Sequence, residues 1–451
     1  MREYYSATIM KFNTKETALL LIGDIACFLA SLFVSLFIRY GGNPPELSFL
    51  LLLTTWGVIF SASILSFFVA GLYEKHTLIF ERNLPPLLLK AQIGNAIIVV
   101  IFFYFLPIFG ASPKTTLFIY LVTSSILVFF WRLYGLKLFR HHRRSKAVLL
   151  GEGEEADELF KEINGNARYP FIFESKIYPT NFYNNLSKNK TLNQALGAEF
   201  ESVSVIVADI DHPSIKISPW QIRLLFVPRA IFLDFESVYE DVFDRVPLSL
   251  SNRNSVFRDD FLSSAPLYDS FRRLIDFTLA FIFGLASLLL YPLVWMLIKI
   301  DDGGPLFFFQ ERVGQNNIPI EIVKFRSMKT DGSEVTKVGS FLRKSRIDEL
   351  PQLLNVLNGS LSLIGPRPEL PDLAKKYQME IPLYNLRHII KPGLSGWAQI
   401  YHENHPHHGP DISETKVKLS YDLYYLRYRS IFLDLKIALR TIQTLLSRSG
   451  V

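Results

Sequence analysis

The chain has 451 residues, with 48 Lys+Arg against 42 Asp+Glu and a formal net charge of +6. Hydrophobic residues make up 49% and charged residues 20%; the apolar ones gather before residue 140 and again near 277–298, which excludes a disordered chain and indicates an integral membrane protein of two to four units. The single cysteine, Cys27, excludes an intrachain disulfide and a Cys-based zinc site, and a mild charge without a long basic tract gives no basis for nucleic-acid binding.

Four runs are long enough to cross about 30 Å of hydrocarbon as helices. They are Thr17–Ile38, Leu47–Tyr73, Ala91–Pro113 and Thr115–Trp131, which predicts a four-span bundle within residues 1–140. The first lacks a small-residue cleavage pattern, so it reads as a span and not as a cleaved leader. The last is short, and Arg132 is expected to snorkel while Trp131 sits at the interface. Lys and Arg occur three times before the first run, three times in Tyr73–Lys90 and six times in Arg132–Lys146; the other two loops hold only Arg39 and Lys114. This asymmetry places both ends of the bundle in the cytosol. Asp24, inside the first run, reads as a hydrogen-bonding partner facing the bundle interior.

Residues 146–260 alternate β-rich and helical runs. Ala147–Leu150, Phe171–Tyr178, Val203–Ala208 and Ala230–Phe235 are predicted strands, and a helix extends to Ile163. Gly151-Glu152-Gly153-Glu154-Glu155-Ala156 has the spacing of a dinucleotide fingerprint, but its three glutamates stand where a pyrophosphate needs a bare helix N-terminus. The stretch therefore reads as a non-catalytic Rossmann-like module able to support a homodimer. A fifth apolar run, Phe277–Ile298, then opens the C-terminal region. Its flanks (Arg272 and Arg273 before, Lys299 after) give no clear direction of crossing, and Pro292 predicts a break into a re-entrant helix, with Ser287 the nearest side chain for the freed carbonyl.

The densest chemistry lies at Ser345-Arg346-Ile347-Asp348-Glu349-Leu350-Pro351-Gln352. Ser345 and Asp348 have the spacing of a helix N-cap, Pro351 suits a first turn, and Gly359 can end the helix after Asn358. Asp348 and Glu349 would then sit at the positive end of a helix, suited to one nucleophile and one ligand for a hard cation such as Mg²⁺. Lys324, Arg326, Arg343, Lys344 and Arg346 supply positive charge. Pro366 and Pro368 stiffen the backbone around Arg367, whose planar fork matches a phosphate or pyrophosphate. Cations around a carboxylate point to phosphoryl chemistry.

DELPQL, NVLNGSLSLIGPRPE, the upstream QERVG and KFRSM, and the downstream KPGLSGWAQI and YDLYY make residues 268–448 resemble the bacterial sugar transferase family of monotopic phosphoglycosyl transferases. The front end resembles the large subgroup that primes O-antigen, capsule or exopolysaccharide synthesis at the bacterial inner membrane. The resemblance implies a mainly helical catalytic domain over 268–451, cytosolic, that moves a sugar-1-phosphate from a UDP-sugar to undecaprenyl phosphate and releases UMP. It further implies that Asp348 is the nucleophile, that Glu349 holds Mg²⁺, and that Arg367 meets the donor's phosphates, with Lys391 of KPGLSG among the substrate-binding residues. Tyr291-Pro292 and Asp301-Asp302-Gly303-Gly304-Pro305 depart from the family's frequent Ser-Pro and Asp-Ser-Pro-Gly-Pro.

Two rivals come from other classes. A nucleotide-sugar dehydratase or epimerase needs a Tyr-x-x-x-Lys pair, which none of the 20 tyrosines provides. A catalytically silent scaffold of a glycan-assembly complex is disfavoured by the intact Asp348-Glu349 pair. His402, His405, His407 and His408 read as a substrate-facing loop in preference to a metal site, because the intervening Pro and Gly deny rigid geometry. Tyr421, Tyr424, Tyr425 and Tyr428 form one helical stripe, compatible with an interfacial helix or with ordinary packing.

Overall fold

The computed structural model describes residues 3–41, 49–70, 72–73, 88–89, 91–97, 114–135, 144–166, 169–178, 203–208, 231–248, 266–401 and 411–447. The chain divides into two compact units, Met1–Asp241 and Val242–Val451.

The first unit begins with α1 (Glu3–Tyr40), α2 (Phe49–Val69) and α3 (Lys114–Phe130), the last extended by a π turn over Trp131–Gly135. Residues 91–97 are helical and pack on α2, where Ser63 Oγ donates to Asn95 Oδ1 at 3.0 Å; the rest of the expected third span lies outside the described residues. Ala18–Tyr40 and Thr115–Tyr134 are long and apolar enough to cross a membrane. Phe28, Phe67, Tyr120 and Ile59 fill the core between the helices, while Ile22, Phe33 and Phe118 face outward, as lipid contact requires.

Asp24 is indeed an interior partner. It accepts from Tyr73 Oη at 2.8 Å and from Arg132 Nε at 3.2 Å, and it forms a further contact with the Arg132 terminal nitrogen. Arg132 also donates to Leu72 O at 2.7 Å. It therefore does not snorkel: its guanidinium is held inside by both oxygens of the buried Asp24 and by a carbonyl, the pairing a charge within the membrane requires. The close approach of α1 to the π turn requires glycine at position 23, since a Cβ there would fall 1.9 Å from the Trp131 ring.

The α/β module carries β1 (Ser145–Leu150), α4 (Glu154–Gly165), β2 (Phe171–Ile177), β3 (Val205–Ala208), β4 (Ile231–Asp234) and α5 (Phe235–Phe243). All strands are parallel in the order β2-β1-β3-β4. The continuous apolar runs Ala147–Leu150 and Val205–Ala208 are buried throughout, as strands covered on both faces must be. The first turn of α4 holds Glu154, Glu155 and Asp157, the acidic start expected from the sequence. The described residues thus combine apolar membrane-length helices with a parallel α/β sheet.

The second unit takes in residues 242–248, which the sequence reading grouped with the middle module: Val246 packs in its core, and Trp397 Nε1 donates to Asp244 O at 2.9 Å. Next come α6 (Pro266–Ser287), a 3₁₀ turn over Leu288–Leu290, and α7 (Tyr291–Asp301). Pro292 lies in the first turn of α7 and has no N–H to give Leu288 O; that carbonyl instead accepts from Tyr291 N. Ser287 is not its partner, since its hydroxyl donates to Gly284 O at 2.7 Å. Either side of the turn packs on the same unit. Ala280 of α6 meets Leu353 and Val356, while Val294 and Ile298 of α7 meet Phe325 and Leu342.

The rest comprises the antiparallel hairpin β5 (Phe307–Val313) and β6 (Pro319–Phe325), α8 (Lys337–Lys344), a 3₁₀ helix over Ile347–Gln352, and α9 (Leu353–Asn358). Strands β7 (Ser362–Ile364) and β8 (Gly393–Ser395) pair in parallel around α10 (Pro371–Glu380). Helices α11 (Trp397–Tyr401), α12 (Ile412–Tyr428) and α13 (Ile431–Ser447) close the unit. The tyrosine stripe is packing: Tyr425 is buried in the core, and Tyr424 stacks on Trp397 at 5.9 Å between centroids. The histidine cluster at 402–408 lies outside the described residues.

Candidate active site

A cavity of about 2290 Å³ opens in the second unit. Its lining takes in the apolar Ile275, Leu279 and Phe283 of α6 and the charged Lys324, Arg343 and Arg367. Asp348 and Glu349 line it as well.

Local chemistry sets these two carboxylates in place. Thr336 caps α8, accepting from Gly339 N at 2.9 Å. Ser345 does not cap the next helix, because it ends α8 and its hydroxyl donates back to Phe341 O at 2.8 Å. Arg346 instead turns the chain in the left-handed conformation, with φ of 57°, and the 3₁₀ helix starts directly after it. Pro351 lies inside that helix, and Gly359, with φ of 87°, ends α9 after Asn358 as the sequence indicates. Asn355 fastens α9 to the hairpin: its Oδ1 accepts from Val323 N at 3.1 Å and its Nδ2 donates to Glu321 O at 2.8 Å. Asp348 and Glu349 are thereby mounted on a short rigid element beside β6.

Their surroundings differ. Asp348 is 8% exposed, and its Oδ1 has no hydrogen-bond partner among the described residues. Burial and the Glu349 charge push its pKa up to about 6, against the pull of Lys324, Arg346 and Arg343. Glu349 lies 3.2 Å from Arg367, 3.6 Å from Lys324 and 3.7 Å from Arg346. Burial pushes its pKa up too, but these three cations outweigh that and hold it below the ordinary glutamate value. Lys324 is shifted downward by its own burial, only partly offset by Glu349. Two adjacent carboxylates thus have opposite tendencies: one hard to ionise and unpartnered, the other fixed as an anion.

The remaining sequence-expected residues fall at different places. Arg343 lines the cavity and donates from Nε to Ser327 Oγ at 2.8 Å. Arg326 also lines the cavity; it is buried, pairs with Asp302 and fills the space that Gly304 leaves open. Pro366 and Pro368 flank Arg367 on the loop after β7, where Pro366 O accepts from Gly393 N at 2.9 Å. Lys391 is not among the cavity-lining residues; its Nζ lies near Arg273 at the foot of α9, beside Gly359. Sequence reasoning passed over Arg272, Asp276 and Arg387, whose partners are distant in the chain: Ser362 Oγ donates to Asp276 at 2.7 Å, and Arg272 donates to Ser362 Oγ at 2.7 Å. The one local signal for Arg272 and Asp276 was charge beside an apolar run.

The donor set bears on Mg²⁺. No group of three or more His, Cys, Asp or Glu that could hold a metal occurs among the described residues, so a closed all-protein site is absent there. The orphaned oxygen of the pair belongs to Asp348, whereas Glu349, the expected ligand, lies against Arg367, Lys324 and Arg346, so a hard cation held there would take most of its ligands from substrate phosphates and water.

Similarity to known proteins covers this same region. The family described as "Bacterial sugar transferase" matches residues 267–448. The chain is 41% identical over 204 residues to a UDP-N-acetylgalactosamine-undecaprenyl-phosphate N-acetylgalactosaminephosphotransferase of Aeromonas hydrophila, covering 42% of this chain and 47% of that protein. It is 36% identical over 200 residues to a UDP-glucose:undecaprenyl-phosphate glucose-1-phosphate transferase of Escherichia coli K12, covering 39% of this chain and 42% of that protein. With the uncharacterized sugar transferase EpsL of Bacillus subtilis it shares 37% identity over 194 residues, 40% of this chain and 89% of the relative. The matched region spans less than half of the first two relatives and nearly all of the third. The chain belongs to the bacterial sugar transferase family.

Proposed function

We propose that this protein transfers a sugar-1-phosphate from a UDP-sugar to undecaprenyl phosphate, releasing UMP, as the priming step of a bacterial surface polysaccharide. The observation that carries this reading is the buried, unpartnered Asp348 carboxylate beside a Glu349 ringed by three cations. An ionised Asp348 oxygen attacks the β-phosphorus of the donor, the bond from that phosphorus to the bridging oxygen breaks, and UMP leaves with the electron pair. The phosphosugar then sits on Asp348 as an acyl phosphate. A phosphate oxygen of the polyprenyl acceptor attacks it, restoring the carboxylate and giving the diphosphate-linked lipid. Lys324 and Arg367 offset the charge of the diphosphate during both displacements. Glu349, next to Asp348, would hold Mg²⁺, whose charge would further offset that of the phosphates and the leaving UMP.

The names of the relatives from A. hydrophila and E. coli, which specify undecaprenyl phosphate and a sugar-phosphate transfer, support the substrate class. We place the protein in the inner membrane with four N-terminal spans, α6–α7 re-entrant and the catalytic unit in the cytosol, where UDP-sugars are made. Nine Lys+Arg against six Asp+Glu over residues 299–346 agree with a cytosolic face. The test is to supply membranes containing the protein with undecaprenyl phosphate, Mg²⁺ and a panel of UDP-sugars and to score UMP. Release from at least one donor is expected; none from any donor would favour the silent scaffold.

A further inference from the structure

Arg367 is mounted on a loop with little secondary structure of its own, yet guanidinium groups from three separate elements take its carbonyls. Arg272 of α6 donates to Ile364 O, Arg387 donates to Arg367 O at 3.1 Å, and Arg312 of β5 donates to Pro368 O at 3.3 Å. Ser395 O accepts from Gly365 N at 2.8 Å. The loop and β8 meet backbone to backbone, for a Cβ on Gly393 would fall 2.1 Å from Gly365 N. Positions 364–368 are thus held from outside at almost every residue.

Arg387 is the member of this clamp that touches Arg367 itself. It is 7% exposed, donates to Tyr384 Oη at 2.8 Å, and pairs at 2.8 Å with Asp422, which is 2% exposed. Burying such a pair is expensive and rarely adds net stability over an apolar pair of similar volume. Its geometry does supply something apolar residues cannot: one planar fork that donates to a phenol and to the Arg367 carbonyl while its charge lies against a carboxylate.

We propose that Arg387, oriented by Asp422, is a positioning residue that fixes the main chain at Arg367 so that the Arg367 guanidinium meets Glu349 and the donor diphosphate. This rests on the reading of Arg367 as a phosphate contact. A lysine at 387 delivers a point charge and cannot hold the phenol and the carbonyl from one fork while facing Asp422, so the Arg367 main chain is released. Misplacement of a phosphate-binding group by about 1 Å costs on the order of 10²-fold.

The experiment is a double-mutant cycle on the full chain in lipid nanodiscs. Arg387→Lys is made in wild type and in Arg367→Ala, and UDP with Mg²⁺ is titrated calorimetrically without turnover, alongside KM and kcat for a turned-over UDP-sugar. Arg387→Lys is expected to weaken UDP binding about tenfold or more in wild type and less than about twofold in Arg367→Ala. Equal losses in both backgrounds would overturn the proposal, since Arg387 would then act on the ligand or on folding directly. If Arg367→Ala itself leaves UDP binding unchanged, the reading of Arg367 fails instead. Should Arg387→Lys not fold, the volume-matched pair Arg387→Met with Asp422→Leu takes its place, with the same expected and contrary outcomes.

Discussion

At the scale of single residues, the account turns on the unequal environments of Asp348 and Glu349. In the proposed reaction Asp348 attacks as an anion, and burial raises its pKa to about 6. The deprotonated fraction therefore grows as pH rises through that value, so kcat/KM for the UDP-sugar should fall on the acid side with a midpoint near 6. A flat profile between pH 5 and about 7 would refute this assignment. The same raised pKa has a cost: above it, the folded state holds a buried charge that the unfolded chain would solvate. Asp348→Asn should therefore abolish UMP release while raising the thermal midpoint at pH about 7.5, by the equivalent of roughly 1–3 kcal/mol. An unchanged or lowered midpoint in scanning calorimetry would show that Asp348 is not destabilised by burial.

At the scale of elements, α6 and α7 decide which side of the membrane holds the site. Pro266–Asp301 is 36 residues long and apolar enough to cross a bilayer. A through-going span would carry its two ends to opposite faces, whereas α6 packs on α9 and α7 packs on α8 and β6 of one compact unit. The break coincides with the 3₁₀ turn before Pro292. Single cysteines at Lys299 and Gln315, in a Cys27→Ser background, should resist a membrane-impermeant maleimide in intact cells. Labelling of both from the periplasm would mean a true span. Much at this scale was legible in sequence. Continuous apolar runs marked the parallel strands, and Pro292 marked where the helical hydrogen bonding tightens into a 3₁₀ turn. The errors concern hydrogen-bond destinations, as with Ser345, Ser287 and Arg132, whose partners depend on tertiary neighbours that local spacing does not encode. Arg387 was illegible for the same reason, since Asp422 stands 35 residues further along the chain.

At the scale of the whole molecule, the two units separate at Asp241 and Val242, and all the cavity-lining residues belong to the second. The B. subtilis relative consists almost wholly of the matched region. Chemistry should therefore reside in the second unit, and a chain of residues 242–451 purified in detergent should still release UMP, within about tenfold of the full chain. A folded but inactive fragment would mean that the first unit contributes to the site. The covalent step at Asp348 is what sets the proposed reaction apart from direct transfer. Its most direct test incubates the full protein with Mg²⁺ and a competent UDP-sugar but no polyprenyl acceptor, quenches the mixture, and maps peptides by mass spectrometry. The account expects a phosphosugar on the peptide containing Asp348, lost when undecaprenyl phosphate is added. An adduct on another residue, or UMP release that never precedes acceptor binding, would contradict it.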